Sequence, residues 1–458
     1  MRNNDARRLT DRLHDDILGR IMAGVLSVGE RLPSVRTLSA QQGVSRDTVL
    51  RVYDRLVAEG RAQAVRGAGY FVLGQPTPAM DALPIDPRDP LDAMRLVHSD
   101  YPLDHQPGSG ILRQDAATRA EVTRVLRSVS GGGPGMDGIY GDPLGYLPLR
   151  QHLGDGLRHG GVDCPTDAVV TTPGAVAGIG LAVRSMLRAG SVALIEDPCS
   201  FMHMHALMAQ GAEIRRVPRL ADGPDIDMLR ELCERYRPKL YVLSSVLHNP
   251  TGSTIALHKA QKLVEIAAEF EMVLIDDCSY VDLLPRTVDR PVVPLILLDR
   301  LRWVIHVGGF SRTVSPVSGP GYLIAGEAHM RYIRAYRPVT GLGNMILAER
   351  TVYRLLSEGL YRRRCSRIQA SLVDQRTGLR QRMAAVGFTL PENQAGLFLW
   401  LSLGDGVDAN AVAERMMARR FLTAPAKHFT IAPDRQSYMR FNVTTTTDDA
   451  VALLSNCL

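Results

Sequence analysis

From about residue 145 onward, short apolar runs alternate with helix-length stretches, and this alternation leaves the chain few architectures. The runs are Ala168–Thr171, Ser191–Ile195, Lys239–Leu243, Met272–Ile275 and Trp303–Val307. Each is nearly continuous in apolar residues instead of alternating with polar ones, which suits strands covered on both faces. The stretches between them, such as 257–270, suit crossover helices, so the pattern predicts an α/β fold with a mainly parallel sheet. Ligands of such sheets bind outside the carboxyl ends of the strands, so the residues just after each run are the ones to inspect.

Other classes are excluded quickly. The longest uncharged run, 168–183, is too short to span a bilayer, and the N-terminus leads into charge instead of an apolar signal segment. A cytoplasmic protein with no membrane partner is expected. The six cysteines are far apart and form no CxxC pair, which predicts reduced thiols and no metal site. A length of 458 residues suggests roughly three compact units.

The N-terminal segment has a different pattern. Leu13, Ile17, Ile21 and Val25 recur every four residues, predicting an amphipathic helix that ends near Ala23-Gly24. Ser34 is placed to cap a second helix, Val35–Gln42, that stops at Gly43, and Ser45 to cap a third over 46–59. The Gly43-Val44-Ser45 link is the short turn of a helix-turn-helix, and a hairpin of 62–65 and 70–73 follows. Residues 1–74 hold 12 arginines and no lysine against eight acidic residues, most of the chain's net +6. Such an excess points to a polyanion, or to a solvated face. On DNA, Arg46 at the start of the third helix would reach guanine, while Arg31, Arg36 and Arg66 suit phosphates. A three-helix protein-interaction module is the alternative on periodicity alone.

Gly29–Leu38, Gly43–Val49 and Leu56–Gly60 together resemble the GntR-family winged helix-turn-helix. The resemblance implies contacts to double-stranded operator DNA from Arg31, Ser34, Arg36, Ser45, Arg46 and Thr48. It also sets the wing at Gly67–Gly69 on the minor groove. Residues 75–107 contain seven prolines, which prevents a long helix and predicts a semi-stiff tether. The remaining 108–458 would form the large domain, with a larger lobe over about 130–335 and a smaller one over about 336–458.

The residues after the runs carry a second resemblance. Tyr140–Gly145, Gly174–Val176, Glu196–Pro198, His248–Gly252, Asp276–Tyr280 and Gly308–Arg312 follow one another as in fold-type-I aminotransferases. A winged helix fused to such a domain is the build of the MocR subfamily of transcription regulators, which implies a homodimer. The resemblance assigns positions around pyridoxal phosphate (PLP). Asp277 would pair with the pyridine nitrogen, Asn249 and Tyr280 with the ring hydroxyl, and the N–H groups of Ala175 and Val176 with phosphate. Tyr140 would reach the partner subunit's phosphate, and Arg440 would grip a substrate carboxylate. The Asn249–Pro250 bond would be cis.

The departures from this pattern shift the expected function. Arg312 stands where the family's Schiff-base lysine does, and a guanidinium cannot serve as the amine nucleophile. Beside it, Ser311 keeps the family's identity. Gly309 replaces a phosphate-binding serine, Gly319 a phosphate-gripping arginine, and Ser200 the ring-stacking aromatic. Covalent PLP is therefore not expected, and PLP could be held only noncovalently and weakly. The preferred reading is a non-catalytic pocket for a small anionic effector, a carboxylate or phosphate, gripped by Arg312 and Arg440. An ion pair of Arg312 with Asp277 is the bland alternative, and a lysine-less enzyme using a preformed amine cofactor is the rival function. His203-Met204-His205 is expected to be packing and surface, because residues two apart diverge on a helix. The run Arg362-Arg363-Arg364 is expected to be a solvated helix face.

Overall fold

The computed structural model describes the chain except residues 1, 23–25, 27–28, 66, 74–93, 95–98, 131–140, 286–291, 316–318, 341–345, 393–394, 431 and 433–434, and the side chains of 2–9, 12 and 22. It divides into two compact units, Met1–Ile85 and Asp86–Leu458.

In the first unit, helices α1 (Arg2–Met22), α2 (Val35–Gln42) and α3 (Arg46–Ala58) precede a hairpin of β1 (Ala62–Val65) and β2 (Gly69–Val72). The predicted end of α1 at Ala23-Gly24 lies outside the described residues. Ser34 Oγ accepts from the Thr37 N–H at 3.1 Å and Ser45 Oγ from the Thr48 N–H at 3.1 Å, so both expected caps are formed. Gly43 ends α2 at φ 63°, a conformation that glycine adopts without steric cost. Val49, Val52, Tyr53 and Leu56 are fully buried against Leu13, Ile17 and Leu38. Burial of one such aliphatic side chain contributes about 1.5–3 kcal/mol. This core, and not the helices' own propensity, holds so small a unit together.

The second unit is built on an eight-stranded sheet of β3 (Val169–Thr172), β4 (Val192–Asp197), β5 (Glu213–Leu220), β6 (Gly223–Pro224), β7 (Leu240–Leu243), β8 (Val273–Asp277), β9 (Val304–Gly309) and β10 (Gly321–Ile324). The order is β3-β10-β9-β8-β7-β4-β5-β6. β10 runs antiparallel to both β3 and β9, β6 antiparallel to β5, and the other pairs are parallel. All five apolar runs predicted as strands lie in this sheet. Burial on both faces explains their lack of alternation. Leu243, Leu274 and Val304 pack against helix Leu257–Glu269, while Val242, Ile275 and Ile305 pack with helix Ala175–Met186 on the other face.

A smaller sheet of β11 (Phe398–Ser402), β12 (Ala424–Pro425) and β13 (Tyr438–Asn442) has the order β11-β13-β12. Residues 101–107, assigned above to the tether, are part of this unit. The Leu422 N–H donates to His105 O and the Asn442 N–H to Pro107 O, at 2.8 and 2.7 Å. The arginine run splits. Arg362 and Arg363 are exposed, but Arg364 is fully buried and donates to Gln114 Oε1 and to the carbonyls of Thr118, Thr313 and Val314. Those carbonyls need a multiple donor, and only the guanidinium at this point of the helix faces inward. Among the described residues, no helix is long and apolar enough to cross a membrane.

Candidate functional site

The loops after the sheet strands converge at their carboxyl ends, as the topology requires. At the end of β8, Asp277 is buried, and its Oδ2 accepts from His203 Nε2 at 2.8 Å. Its Oδ1 accepts from the Ser279 N–H at 3.0 Å and from the Ser279 hydroxyl. Burial alone would raise this carboxyl, but the His203 and Ser279 bonds hold it below its ordinary value. His203 is thus more than packing, because it hydrogen-bonds Asp277. It sits on the inner side of the first turn of helix Phe201–Ala209, directly after the loop that follows β4. A two-residue spacing test for metal ligands says nothing about a single inward histidine meeting a strand from elsewhere. The useful signal was the helix start itself, since His203 stands three residues after the N-cap Ser200.

After β7, the Asn249–Pro250 bond is cis, as is Asp197–Pro198 after β4. Asn249 Oδ1 accepts from Arg440 Nη1 at 2.8 Å, and Arg440 Nη2 donates to Gly108 O at 2.5 Å. Arg440 lies on β13 and is 2% exposed, between the rings of Phe398 and Phe429 at 4.3 and 4.7 Å. Its Nε is buried without a hydrogen-bond partner. Burial lowers its pKa to about 10, a shift that nearby Arg312 reinforces. In the same loop region, Glu196 accepts from Arg219, from the Ser244 N–H at 2.9 Å and from His248 Nε2 at 3.3 Å, all of it buried.

After β9, the Arg312 guanidinium stands 5.5 Å over the Tyr280 ring. The ion pair of Arg312 with Asp277 does not form, because His203 and Ser279 already satisfy that carboxylate. Ser311 Oγ donates to Gly319 O at 3.3 Å. A Cβ on Gly319 would lie 2.5 Å from Ser315 O and 2.6 Å from Ser311 N, so the backbone fills the space a side chain there would need. A Cβ on Gly309 would stand 3.2 Å from the Ala175 Cβ. Ala175 opens helix Ala175–Met186, whose N-cap Gly174 supplies no side-chain cap. Val176 is half exposed in the same first turn. The structure thus brings Ala175, Asn249, Asp277, Tyr280, Ser311, Arg312 and Arg440 to the carboxyl end of one sheet. Tyr140 lies outside the described residues.

In the first unit, Arg31, Arg36 and Arg46 are exposed, and Ser34, Ser45 and Thr48 cluster at the starts of α2 and α3. Arg31 bridges to Phe71, and its guanidinium lies against Gly69 in the wing. Gly67 and Gly69 take φ 79° and 110° at the hairpin turn, and Arg66 lies outside the described residues.

Residues 108–455 match the family of aminotransferases of class I and II, and residues 9–72 match the gntR family of bacterial regulatory proteins. The chain belongs to the class I and II aminotransferase family and carries a GntR-type helix-turn-helix domain at its N-terminus. The uncharacterized HTH-type transcriptional regulator YdcR of Escherichia coli is 25% identical over 94% of this chain and 94% of its own length. The probable rhizopine catabolism regulatory protein MocR of Rhizobium meliloti is 25% identical over 84% of this chain and 80% of its own. These relatives, matched over most of the chain, are HTH-type regulators of the MocR class. Among solved structures, the multiple substrate aminotransferase of Thermococcus profundus superposes with a TM-score of 0.70. It is 21% identical and covers 83% of this chain and 94% of its own, a likeness of fold.

Proposed function

We propose that this protein is a sequence-specific DNA-binding transcription regulator whose aminotransferase-like domain is non-catalytic. That domain would serve homodimerisation and the sensing of a small anion, a carboxylate or phosphate. The observation that carries the second part is Arg312, a permanent cation at the end of β9 where covalent chemistry would need an amine. The chain has only four lysines, Lys239, Lys259, Lys262 and Lys427, and none lies between β9 and β10.

The pocket fits the ring end of PLP and not the rest of it. Asp277 with His203, Asn249 and Tyr280 suit a pyridine ring and its hydroxyl. The phosphate end lacks side-chain grips at Gly309 and Gly319, and the second position has no room for one. Noncovalent binding of a pyridoxal-type ring is therefore a second reading, favoured by the buried Asp277–His203 pair.

An effector shifts DNA binding only by binding two arrangements of the protein with different affinity. The Pro-rich tether is where those arrangements would differ. With operator DNA as its partner, the protein would work in the cytoplasm. Two measurements test the proposal. Purified protein mixed with PLP and reduced with borohydride should carry no adduct at residue 312 by mass spectrometry. Arg36→Ala and Arg46→Ala should each weaken retention of the cognate fragment, with a shallower salt dependence where a phosphate contact is lost. Turnover of an amino or keto acid, or undiminished DNA retention by both variants, would overturn it.

A further inference from the structure

One cluster near the pocket is not used by it. Asp276 and Cys278 stand two apart where β8 ends, so they share a face of the sheet, opposite to that of Asp277. His306 on β9 is the register partner of Asp276 and points the same way. One donor atom from each of the three side chains lies within 4.8 Å of the others. All three residues are buried, at 0%, 1% and 7% exposure. His306 Nδ1 is buried with no hydrogen-bond partner, an omission that calls for an explanation in a folded protein. Ser245 Oγ completes the group, 2.8 Å from Asp276 Oδ2 and 3.6 Å from Cys278 Sγ.

We propose that Asp276, Cys278 and His306 form a zinc(II) site, its fourth ligand the Ser245 hydroxyl or a water. A mixed sulfur, nitrogen and oxygen donor set suits zinc, whereas magnesium and calcium take oxygen ligands. Charge supports the same choice. A carboxylate and a thiolate cancel the two positive charges, and the imidazole adds none, so the loaded site is neutral where an unbalanced charge would be costly. Binding forms Zn–O, Zn–S and Zn–N bonds and releases the Cys278 thiol proton to solvent, with nothing oxidised or reduced. The ion would tie β8 to β9 on either side of Asp277 in sequence, stiffening the strand end that presents that carboxylate and Ser279. Sequence spacing hid the set, because His306 arrives from a different strand.

The test uses the full-length protein, loaded with zinc sulfate and dialysed against metal-free buffer, with zinc measured by inductively coupled plasma mass spectrometry. The expected result is about one zinc per chain. Cys278→Ser and His306→Asn should lose it, while Cys199→Ser, which removes another buried thiol, should keep it. Zinc-free wild-type protein, or zinc retained by both variants, overturns the proposal. Should the variants not fold, the wild-type protein loaded with cobalt(II) decides. The intense visible bands of a tetrahedral ion and a thiolate-to-cobalt charge-transfer band are expected. An octahedral spectrum without the thiolate band overturns the site.

Discussion

Replacing Arg219 by methionine would leave the Glu196 carboxylate without its cation inside the large lobe. The pair is buried at 0% and 1% side-chain exposure. Arg219 also donates to Ser244 O at 2.9 Å and to Ser253 Oγ at 3.2 Å, so it ties both ends of the loop that presents Asn249. Burial would raise the Glu196 carboxyl, but Arg219, His248 and the Ser244 N–H hold it at about 2 against an ordinary 4.5. At about 1.4 kcal/mol per unit, that shift corresponds to about 3 kcal/mol of stability. Breaking a buried ion pair by removing one partner costs about 3–5 kcal/mol, so two routes give the same size.

The signs follow. In the wild type the folded pKa is depressed, so this contribution is complete above the unfolded value and is lost as pH falls towards about 2. In Arg219→Met the buried carboxyl, without its cation, titrates above the unfolded value. The variant therefore gains stability as pH falls through that raised pKa. The difference between the two chains should shrink from about pH 7 towards about pH 4. Both tryptophans, Trp303 and Trp400, lie in the second unit, so urea unfolding followed by their fluorescence reports that unit alone. A difference below about 1 kcal/mol near pH 7, or one that stays constant with pH, would refute the reasoning.

Three further outcomes are expected. Ser45→Ala removes the α3 cap and should lower winged-helix stability by about 1 kcal/mol, read as a lower midpoint for loss of helical circular dichroism in the isolated segment's transition. Gly319→Ala should destabilise the second unit by about 1–3 kcal/mol, since its Cβ meets backbone atoms, and an unchanged urea midpoint would count against that packing. Arg312→Lys supplies an amine but no phosphate grip. It should yield no stoichiometric borohydride-trapped PLP adduct at residue 312, and a full adduct would sink the claim that the phosphate end is closed.

Much of this was legible in sequence where local chemistry decides structure. Ser34, Gly43 and Ser45 mark helix ends by capping and by positive φ, properties each residue carries with it. Strands buried on both faces announce themselves as unbroken apolar runs. β5 did not, because Glu213–Leu220 carries three arginines near the edge of the sheet, Arg215 and Arg216 partly exposed and Arg219 turned inward to Glu196. Nor did β10, four residues beginning with glycine, whose antiparallel place between β3 and β9 is set by its neighbours. The site divides in the same way. Asp277, Asn249 and Arg440 sit at motif positions, but the partners that fix their state come from distant segments. His203 holds Asp277, Gly108 holds Arg440, and Glu196 with Arg219 ties the loop that carries Asn249. Arg364 taught the same lesson in reverse, since three adjacent arginines on a helix must point in three directions.

The glycines near β9 decide how Arg312 should be understood. An arginine alone at the end of β9 would be one changed side chain in an otherwise intact cofactor site, reversible by one substitution. Gly319 changes that, because its Cβ position is occupied by the backbone of residues 310, 311 and 315. Gly321 likewise packs so closely on Gly174 that a Cβ there would lie 2.2 Å from its carbonyl carbon. The loop after β9 is therefore closed on itself at Gly319, and the start of β10 lies tight against the start of helix Ala175–Met186 at Gly321. A phosphate-gripping arginine could return at position 319 only if that backbone moved. On the proposed reading, the arginine at 312 and the closed backbone at 319 are thus two separate physical features of one end of the pocket. The Asp277–His203 end is still buried, hydrogen-bonded and held ionised. A pocket that keeps its anionic floor and gains a fixed cation at its rim suits a ligand recognised by charge and shape, and not one converted by covalent chemistry.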